Sequence, residues 1–169
     1  MEKLLDLIRN RYSCRGYSDK AVEAEKVAYI KECVRLSPSA VNRQPWHFRF
    51  VVSKEGREKL QSCYSRPWFA EAPLYVIASL LHEEEWVRAD GKAHGNIDVA
   101  IAVEHLCLAA AEHGLGSCWV CNFDADRLHA LFAMPETEEP VAIVPLGYAR
   151  DPQLPPKSRK AAEDVFSEE

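Results

Sequence analysis

The segment IDVAIAVEHLCLAAAEH (97–113) decides how this chain folds. It is rich in alanine and leucine and nearly apolar around its whole circumference, and Gly114 follows it as a typical residue for the end of a helix. A helix that is apolar on all sides has to be buried. The segment therefore predicts a central helix, placed either in the core of one subunit or along a dimer interface.

Shorter elements are predicted on both sides of this central helix. Helical patterns cover four further segments, 4–8, 21–36, 54–63 and 124–132, with Asp124 as the cap of the last one. Apolar runs and alternating patterns predict four strands, 47–52, 74–81, 117–123 and 140–149. In the first strand, Phe48, Phe50 and Val52 share one face. Because helices and strands follow each other without a regular βαβ repeat, the fold class is predicted to be α+β.

Composition limits the domain organisation and the location of the protein. A chain of 169 residues with 47% hydrophobic content fits one domain, predicted over 1–150. Residues 151–169 are rich in proline and charge and read as an extended arm of that domain. A net charge of −5 without a basic run argues against nucleic-acid binding, and no apolar stretch is long enough for a membrane span. Six cysteines without a secretory signal predict a cytoplasmic protein.

The loop SPSAVNRQPWHF (37–48) is the first candidate binding segment. It carries hydroxyl and amide groups, and Pro38 and Pro45 restrict its backbone. Such groups on a stiff loop suit a planar ligand with a hydrogen-bonding edge, such as a flavin. A polar turn that only connects a helix to a strand is the alternative interpretation.

Two basic clusters are candidates for a phosphate site. RYSCR (11–15) places two guanidinium groups around the hydroxyl of Ser13, and KSRK (157–160) lies in the arm. Guanidinium groups bind phosphate through paired hydrogen bonds. If the arm folds back, the two clusters could hold one phosphate from two sides. A solvated basic turn and a disordered terminus are the alternatives.

Five segments in this order resemble the FMN-dependent nitroreductase family over about residues 4–160: RYSCR (11–15), SPSAVNRQPWHF (37–48), APLYVIA (72–78), 97–120 and VPLGYA (144–149). The resemblance implies a central, mostly antiparallel sheet flanked by helices. It also implies an intertwined homodimer in which the C-terminal arm, 151–169, crosses to the partner chain. Two FMN molecules would lie at the dimer interface. NADH or NADPH would donate hydride to FMN, and a nitroaromatic, quinone or similar acceptor would then take the electrons in a ping-pong cycle.

The resemblance also implies a set of cofactor-binding residues, while the chemistry itself is carried by FMN and needs no catalytic side chain. The phosphate motif corresponds to Arg11, Tyr12, Ser13 and Arg15, and the basic pair of the arm to Lys157 and Arg159. The loop that covers the flavin from the partner chain corresponds to Pro38, Ser39, Ala40, Asn42 and Gln44. Backbone amides near flavin N5 and O4 are expected at Trp119, Val120, Cys121 and Asn122.

Three segments depart from the family pattern. Between Cys63 and Ala72, only Ser65 and Arg66 are candidates for contacts to the ribityl chain and the pyrimidine edge. Cys121 and Asn122 replace the glycine of many relatives, so only a backbone contact is expected to persist there. The polar segment 82–96 has no clear counterpart and is expected to shape the substrate entrance.

Two other functions remain open from the sequence. One is a flavin-binding sensor or a non-reductase flavoprotein with little NAD(P)H turnover. The other is a thiol–disulfide enzyme that uses Cys118 and Cys121, although a predicted strand would direct these two thiols to opposite faces. His105 and Cys107 do not share a helix face, and no metal site is predicted.

Overall fold

The computed structural model describes residues 3–151 and 153–169. Its α-helices are α1 (Lys3–Asn10), α2 (Ala24–Arg35), α3 (Lys54–Cys63), α4 (Gly95–Glu112) and α5 (Ala125–Leu131). Its strands are β1 (Trp46–Val51), β2 (Leu74–Leu81), β3 (Gly116–Ser117) and β4 (Glu138–Gly147). Short 3-10 turns cover Ala40–Asn42, Pro67–Glu71 and Ala162–Asp164.

The strands form one antiparallel sheet in the order β1-β2-β4-β3. The central strand β2 pairs with β1 on one side and β4 on the other, so that Val76 lies between Phe50 and Val144. β2 is buried along nearly its whole length, as its continuous apolar sequence predicts. Helices pack around this antiparallel sheet, which confirms the predicted α+β class.

Side chains of β2 alternate between two clusters of core residues. Val76 and Ala78 pack in the cluster that includes α2 and α4, while Tyr75 and Ile77 pack in the cluster that includes α3 and α5. The predicted central helix, α4, contributes a row of buried residues: Val99, Ala102, Val103, Leu106, Cys107, Ala109 and Ala110. This chain therefore buries α4 in its own core.

The start of α5 and the end of α4 lie at the residues that were predicted to cap them. The Asp124 side chain accepts a hydrogen bond from the Arg127 amide (3.0 Å) at the start of α5. Gly114 follows the end of α4 with φ of +71°, a conformation that glycine adopts without strain. In the described part of the chain, no helix combines the length and the apolar character needed to cross a bilayer.

The strand predicted over 117–123 is wrong beyond Ser117. β3 contains only Gly116 and Ser117, and pairing resumes as a single bridge between Val120 and Ile143. The same register would place Cys118 opposite Pro145, where the ladder needs an amide hydrogen that proline lacks. The strand is therefore interrupted by a residue on its neighbour.

Two smaller predictions about the strands are also wrong. Val52 does not share the buried face of Phe48 and Phe50, because β1 ends at Val51 and Val52 is exposed. β4 begins at Glu138, two residues before the predicted start, and ends at Gly147. The backbone of Glu138 pairs with Leu81 of β2, and its buried side chain accepts two hydrogen bonds from Arg49 of β1.

Candidate active site

The RYSCR segment (11–15) is fixed alongside β3. The Cys14 amide donates to the Ser117 carbonyl (2.8 Å), and Ser13 forms a parallel bridge with Ser117. Cys14 is buried, and Tyr17 donates its hydroxyl hydrogen to the Cys14 carbonyl (3.0 Å). Because side chains alternate along an extended segment, Ser13 and Arg15 then point to the surface. The local packing thus presents the polar residues of this segment outward.

The C-terminal arm returns to this segment in the same chain. Lys157 Nζ donates to the Ile8 carbonyl at the end of α1 (2.7 Å). The two basic clusters then share one cleft of about 270 Å³, which we call the cationic cleft, lined by Arg11, Tyr12, Ser13, Arg15, Pro155, Pro156, Lys157, Ser158 and Arg159. The structure therefore brings together all six residues that sequence reasoning proposed for a phosphate site.

Electrostatics favour an anion in the cationic cleft. Desolvation, together with the charges of Arg11 and Arg159, lowers the pKa of Lys157. Arg11 Nε lies 3.7 Å from Glu104 Oε1, which offsets part of this positive charge. Burial raises the pKa of Tyr12 to about 12, so its hydroxyl stays protonated and can donate a hydrogen bond. Guanidinium, ammonium and hydroxyl donors in one cleft are the donor set that a phosphate group requires.

The loop 37–44 holds its shape through internal hydrogen bonds and an unusual backbone. Val41, Asn42 and Gln44 adopt left-handed φ angles of 52°, 55° and 53°. Ser39 Oγ accepts a hydrogen bond from the Gln44 amide (2.8 Å). The Gln44 side-chain amide donates to Asn42 Oδ1 (3.1 Å). These contacts fix the shape of the loop from within.

Two polar residues of α4 attach this loop to the core. Asp98 Oδ1 accepts a hydrogen bond from the Ala40 amide (2.8 Å), and Ser37 Oγ lies 2.9 Å from His105 Nδ1. Sequence reasoning missed Asp98 and considered His105 as a metal ligand, a role that its spacing from Cys107 did not support. The available signal was the presence of polar residues seven positions apart on an otherwise apolar helix, which places them on one face.

The loop and the cationic cleft are separate surfaces within one chain. No residue of 37–44 lines the cleft. Asn42 and Gln44 are exposed, and Ser39 is half-buried. Of the predicted cofactor-binding residues, the structure thus gathers those of 11–15 and 157–159, while Pro38, Ser39, Ala40, Asn42 and Gln44 lie elsewhere on the surface.

The segment 118–122 leads away from the point where RYSCR meets β3. Val120 is buried and its amide donates to the Ile143 carbonyl (3.0 Å). Amides alternate in direction along an extended segment, so those of Trp119 and Cys121 face away from β4. Trp119 Nε1 is buried and has no hydrogen-bond partner in the described ranges. This segment therefore offers donors that the sheet does not use.

A second cleft lies beyond this segment. It has a volume of about 400 Å³ and is lined by Cys63, Tyr64, Ser65, Arg66, Pro67, Asn122, Phe123 and Asp124. The contact that closes it is a hydrogen bond from the Asp124 amide to the Cys63 carbonyl (3.0 Å). Ser65 and Arg66, the candidates for contacts to the ribityl chain and the pyrimidine edge, therefore lie next to Asn122.

The two thiols of the CxxC motif differ in environment. Cys118 is buried, and burial raises the pKa of its thiol, whereas Cys121 is exposed. Reactive thiols have lowered pKa values, so Cys118 is not activated for disulfide exchange. Within 3–151 and 153–169, no group of three or more His, Cys, Asp or Glu residues is placed to hold a metal ion.

Comparison with known proteins identifies the family. The profile of the nitroreductase family matches residues 8–63 and 61–148. A solved nitroreductase family protein from Clostridium difficile 630 has a TM-score of 0.90 at 34% identity, with 96% of each chain covered. A protein of Archaeoglobus fulgidus, named as a candidate NADH dehydrogenase/NAD(P)H nitroreductase, is 32% identical over 89% of this chain and 88% of its own length.

A more distant relative carries a cofactor in its name. A Bacillus subtilis protein named as an NAD(P)H FMN reductase is 23% identical over 100% of this chain and 77% of its own length. The α+β fold and the matches together define an oxidoreductase. The chain belongs to the nitroreductase family.

Proposed function

We propose that this protein is an FMN-dependent oxidoreductase that takes hydride from NADH or NADPH and reduces a nitroaromatic, quinone or similar small acceptor in a ping-pong cycle. The observation that carries the proposal is the cationic cleft, where residues 11–15 and 155–159 converge. Bound FMN would supply the two-electron chemistry. The names of relatives, FMN reductase and NAD(P)H nitroreductase, support this cofactor and this donor.

The cationic cleft would hold the phosphate end of the cofactor. Arg11 and Arg15 can each offer paired donors to phosphate oxygens, and Lys157 and Arg159 add charge from the arm. The hydroxyls of Ser13 and Tyr12 complete the donor set. An anion bound here would relieve the mutual repulsion that lowers the pKa of Lys157.

The segment 118–122 would hold the ring end. It starts beside Ser13, so a ligand held by its phosphate in the cationic cleft can extend along it. The amides of Trp119 and Cys121 face away from β4 and are available to the ring. The Val120 amide is used by Ile143, so Val120 would act by fixing the segment. The free donor of Trp119 Nε1 supports a polar ligand or partner at this place.

The loop 37–44 would cover a cofactor that is held by another copy of the chain. A two-fold symmetric dimer places the same two surfaces against each other twice, so each loop can meet the cleft of the other chain. Exposed apolar side chains of α1 and of the arm support such a homodimer: Leu4, Leu5, Ile8, Val165 and Phe166. The end of the arm, 160–169, is exposed and is proposed to cross to the partner.

In this proposal the side chains bind, orient and cover the cofactor. Fixed donors at the phosphate and at the ring would hold it in one position, and the loop would exclude water from one side. No acid, base or metal of the chain is required for hydride transfer. The six free cysteines fit a reducing compartment, and we place the protein in the cytoplasm.

An absorption spectrum of the purified protein tests the proposal, followed by anaerobic addition of NADH or NADPH. We expect visible flavin absorption that bleaches on addition of one donor. Dithionite serves as a control that shows that the bound flavin is reducible. Flavin absorption that dithionite bleaches and neither donor bleaches would favour a flavin-binding sensor. Absence of bound flavin after reconstitution with FMN would overturn the proposal.

A further inference from the structure

Two side chains connect the apolar helix α4 to residues 37–40. Asp98 Oδ1 accepts from the Ala40 amide, and His105 Nδ1 lies 2.9 Å from Ser37 Oγ. Seven residues span two helical turns, about 10.5 Å, so the two contacts lie at successive levels of one helix face. α4 is the most buried helix of the chain, and it holds both ends of this segment in place.

The Asp98 carboxylate is buried at a cost. Asp98 is 2% exposed, and its Oδ2 atom has no hydrogen-bond partner among the described residues. A buried carboxylate with an unsatisfied oxygen destabilises a fold unless other interactions compensate. Its position in the first turn of α4 gives partial compensation through the helix dipole. Among the described residues the Asp98 side chain bonds only to the Ala40 amide, so this hydrogen bond is the interaction that compensates for its burial.

The loop that Asp98 anchors has a backbone that requires support. Val41 is β-branched, is 75% exposed and adopts a left-handed conformation, which costs free energy for such a residue. Asn42 and Gln44 share this conformation. Strained backbone persists only where the surrounding structure fixes it. Ala40 directly precedes these residues, and its amide is held by Asp98.

We propose that Asp98 is a positioning residue for FMN binding. Through the Ala40 amide it fixes Ser39, Asn42 and Gln44 in the arrangement that contacts the FMN held in the partner subunit's cationic cleft. This role rests on the proposed function. It acts through the backbone of the loop, so it requires a hydrogen-bond acceptor at position 98 and a donor at position 40.

The test is a set of FMN titrations followed by flavin fluorescence and by the visible spectrum. Asp98→Ala removes the acceptor. We expect the dissociation constant for FMN to rise about tenfold and the flavin spectrum to shift. Asp98→Asn keeps an acceptor oxygen and is expected to bind FMN within about threefold of the unmodified protein. Asp126→Ala removes an exposed first-turn carboxylate of α5 and serves as the matched control, with unchanged binding and spectrum.

Ala40→Pro tests the same hydrogen bond from the other side, even if Asp98→Ala does not fold. Ala40 is the first residue of a short 3-10 turn, and Ser39 before it is extended (φ −141°, ψ 163°), which is the conformation that a residue before proline prefers. Proline at position 40 removes the hydrogen-bond donor. We expect the spectral shift and the weaker binding of Asp98→Ala. The double variant should bind no more weakly than either single variant, because both remove one interaction.

The outcomes separate this role from the proposed function. If the unmodified protein takes up no FMN, the proposed function fails and the role of Asp98 fails with it. If the unmodified protein binds FMN and both Asp98→Ala and Ala40→Pro bind it equally well with an unchanged spectrum, only the role of Asp98 is overturned. A lower melting temperature of the apoprotein with unchanged FMN binding would likewise show a purely structural residue.

Discussion

The cationic cleft and the loop 37–44 present polar groups in opposite ways. The cleft joins two segments that are far apart in sequence, 11–15 and 155–159, and its main property is positive charge. The loop is one continuous segment whose groups are uncharged apart from Arg43, and its main property is a fixed shape. The cleft is suited to attract an anion through its charge, whereas the loop is suited to cover a ring through its shape.

This difference fits the proposed division of the site between two chains. Charge attracts over a distance and tolerates an arm that is largely exposed, as residues 155–159 are. Shape requires rigid support, which α4 supplies through Asp98 and His105. Variants of the cleft should therefore respond to charge, salt and pH. FMN binding by variants of the loop should instead depend on how well the loop keeps its shape.

The largest effect is expected from Arg11→Ala. Loss of a charge-assisted contact to phosphate should weaken FMN binding by about 1.5–3 kcal/mol, or roughly 10- to 150-fold. Arg35→Ala is the control, because Arg35 is exposed on α2 and its ion pair within the described residues is with Glu32. FMN titration of apoprotein measures both. Equal dissociation constants for the two variants would show that Arg11 does not contact the phosphate of FMN.

A smaller effect is expected from pH. Desolvation and the nearby Arg11 and Arg159 lower the pKa of Lys157, so its side chain loses its charge at a lower pH than an ordinary lysine does. FMN affinity should therefore be full below this pKa and fall about 3- to 10-fold above it, at a pH below the usual lysine value of about 10.4. Lys157→Arg keeps its charge and should not show this loss. An identical pH profile for the two proteins would contradict the assignment.

Salt should distinguish the two regions by a few-fold change. Raising the ionic strength screens the cationic cleft and should weaken FMN binding by the unmodified protein. The ratio of dissociation constants between Asp98→Ala and the unmodified protein should stay constant, since the loop acts through position. Titrations at low and high salt measure this ratio. A ratio that falls towards one at high salt would mean that Asp98 acts through charge.

The smallest effect is expected from Val41→Asn. Asparagine tolerates the left-handed conformation better than valine, so the apoprotein should gain about 1 kcal/mol, or roughly 2–4 °C in melting temperature. Val41 is exposed, so the change should create no new contact in the core. Thermal unfolding of the two apoproteins measures this difference. An unchanged or lower melting temperature would show that the loop is not strained at this position.

Local sequence patterns predicted most of the fold. The bounds of α3 (Lys54–Cys63) and β2 (Leu74–Leu81) match the predictions, because a helical pattern and a continuous apolar run are local signals. The strand over 117–123 failed for a non-local reason, since the residue that interrupts it is Pro145 on the neighbouring strand.

The candidate site shows the same limit. Charge and donor chemistry indicated both basic clusters, and the structure brings them into one cleft. The hydrogen bond from Ala40 to Asp98 joins residues 58 positions apart, so the polar spacing on α4 marks Asp98 but does not indicate its partner. The proximity of Ser65 and Arg66 to Asn122 likewise depends on the packing of α3 against α5.

Subunit mixing tests most directly the claim that each FMN lies between the cationic cleft of one chain and the loop of the other. Arg11→Ala and Asp98→Ala chains with different tags are co-expressed, and the heterodimer is isolated. The FMN concentration is chosen to fill an unmodified site and to leave both variant homodimers mostly empty. A shared site predicts one unmodified site per heterodimer, with about half the FMN and half the NAD(P)H turnover of the unmodified dimer. A heterodimer as empty as the homodimers would contradict the account, because cleft and loop would then act within one chain.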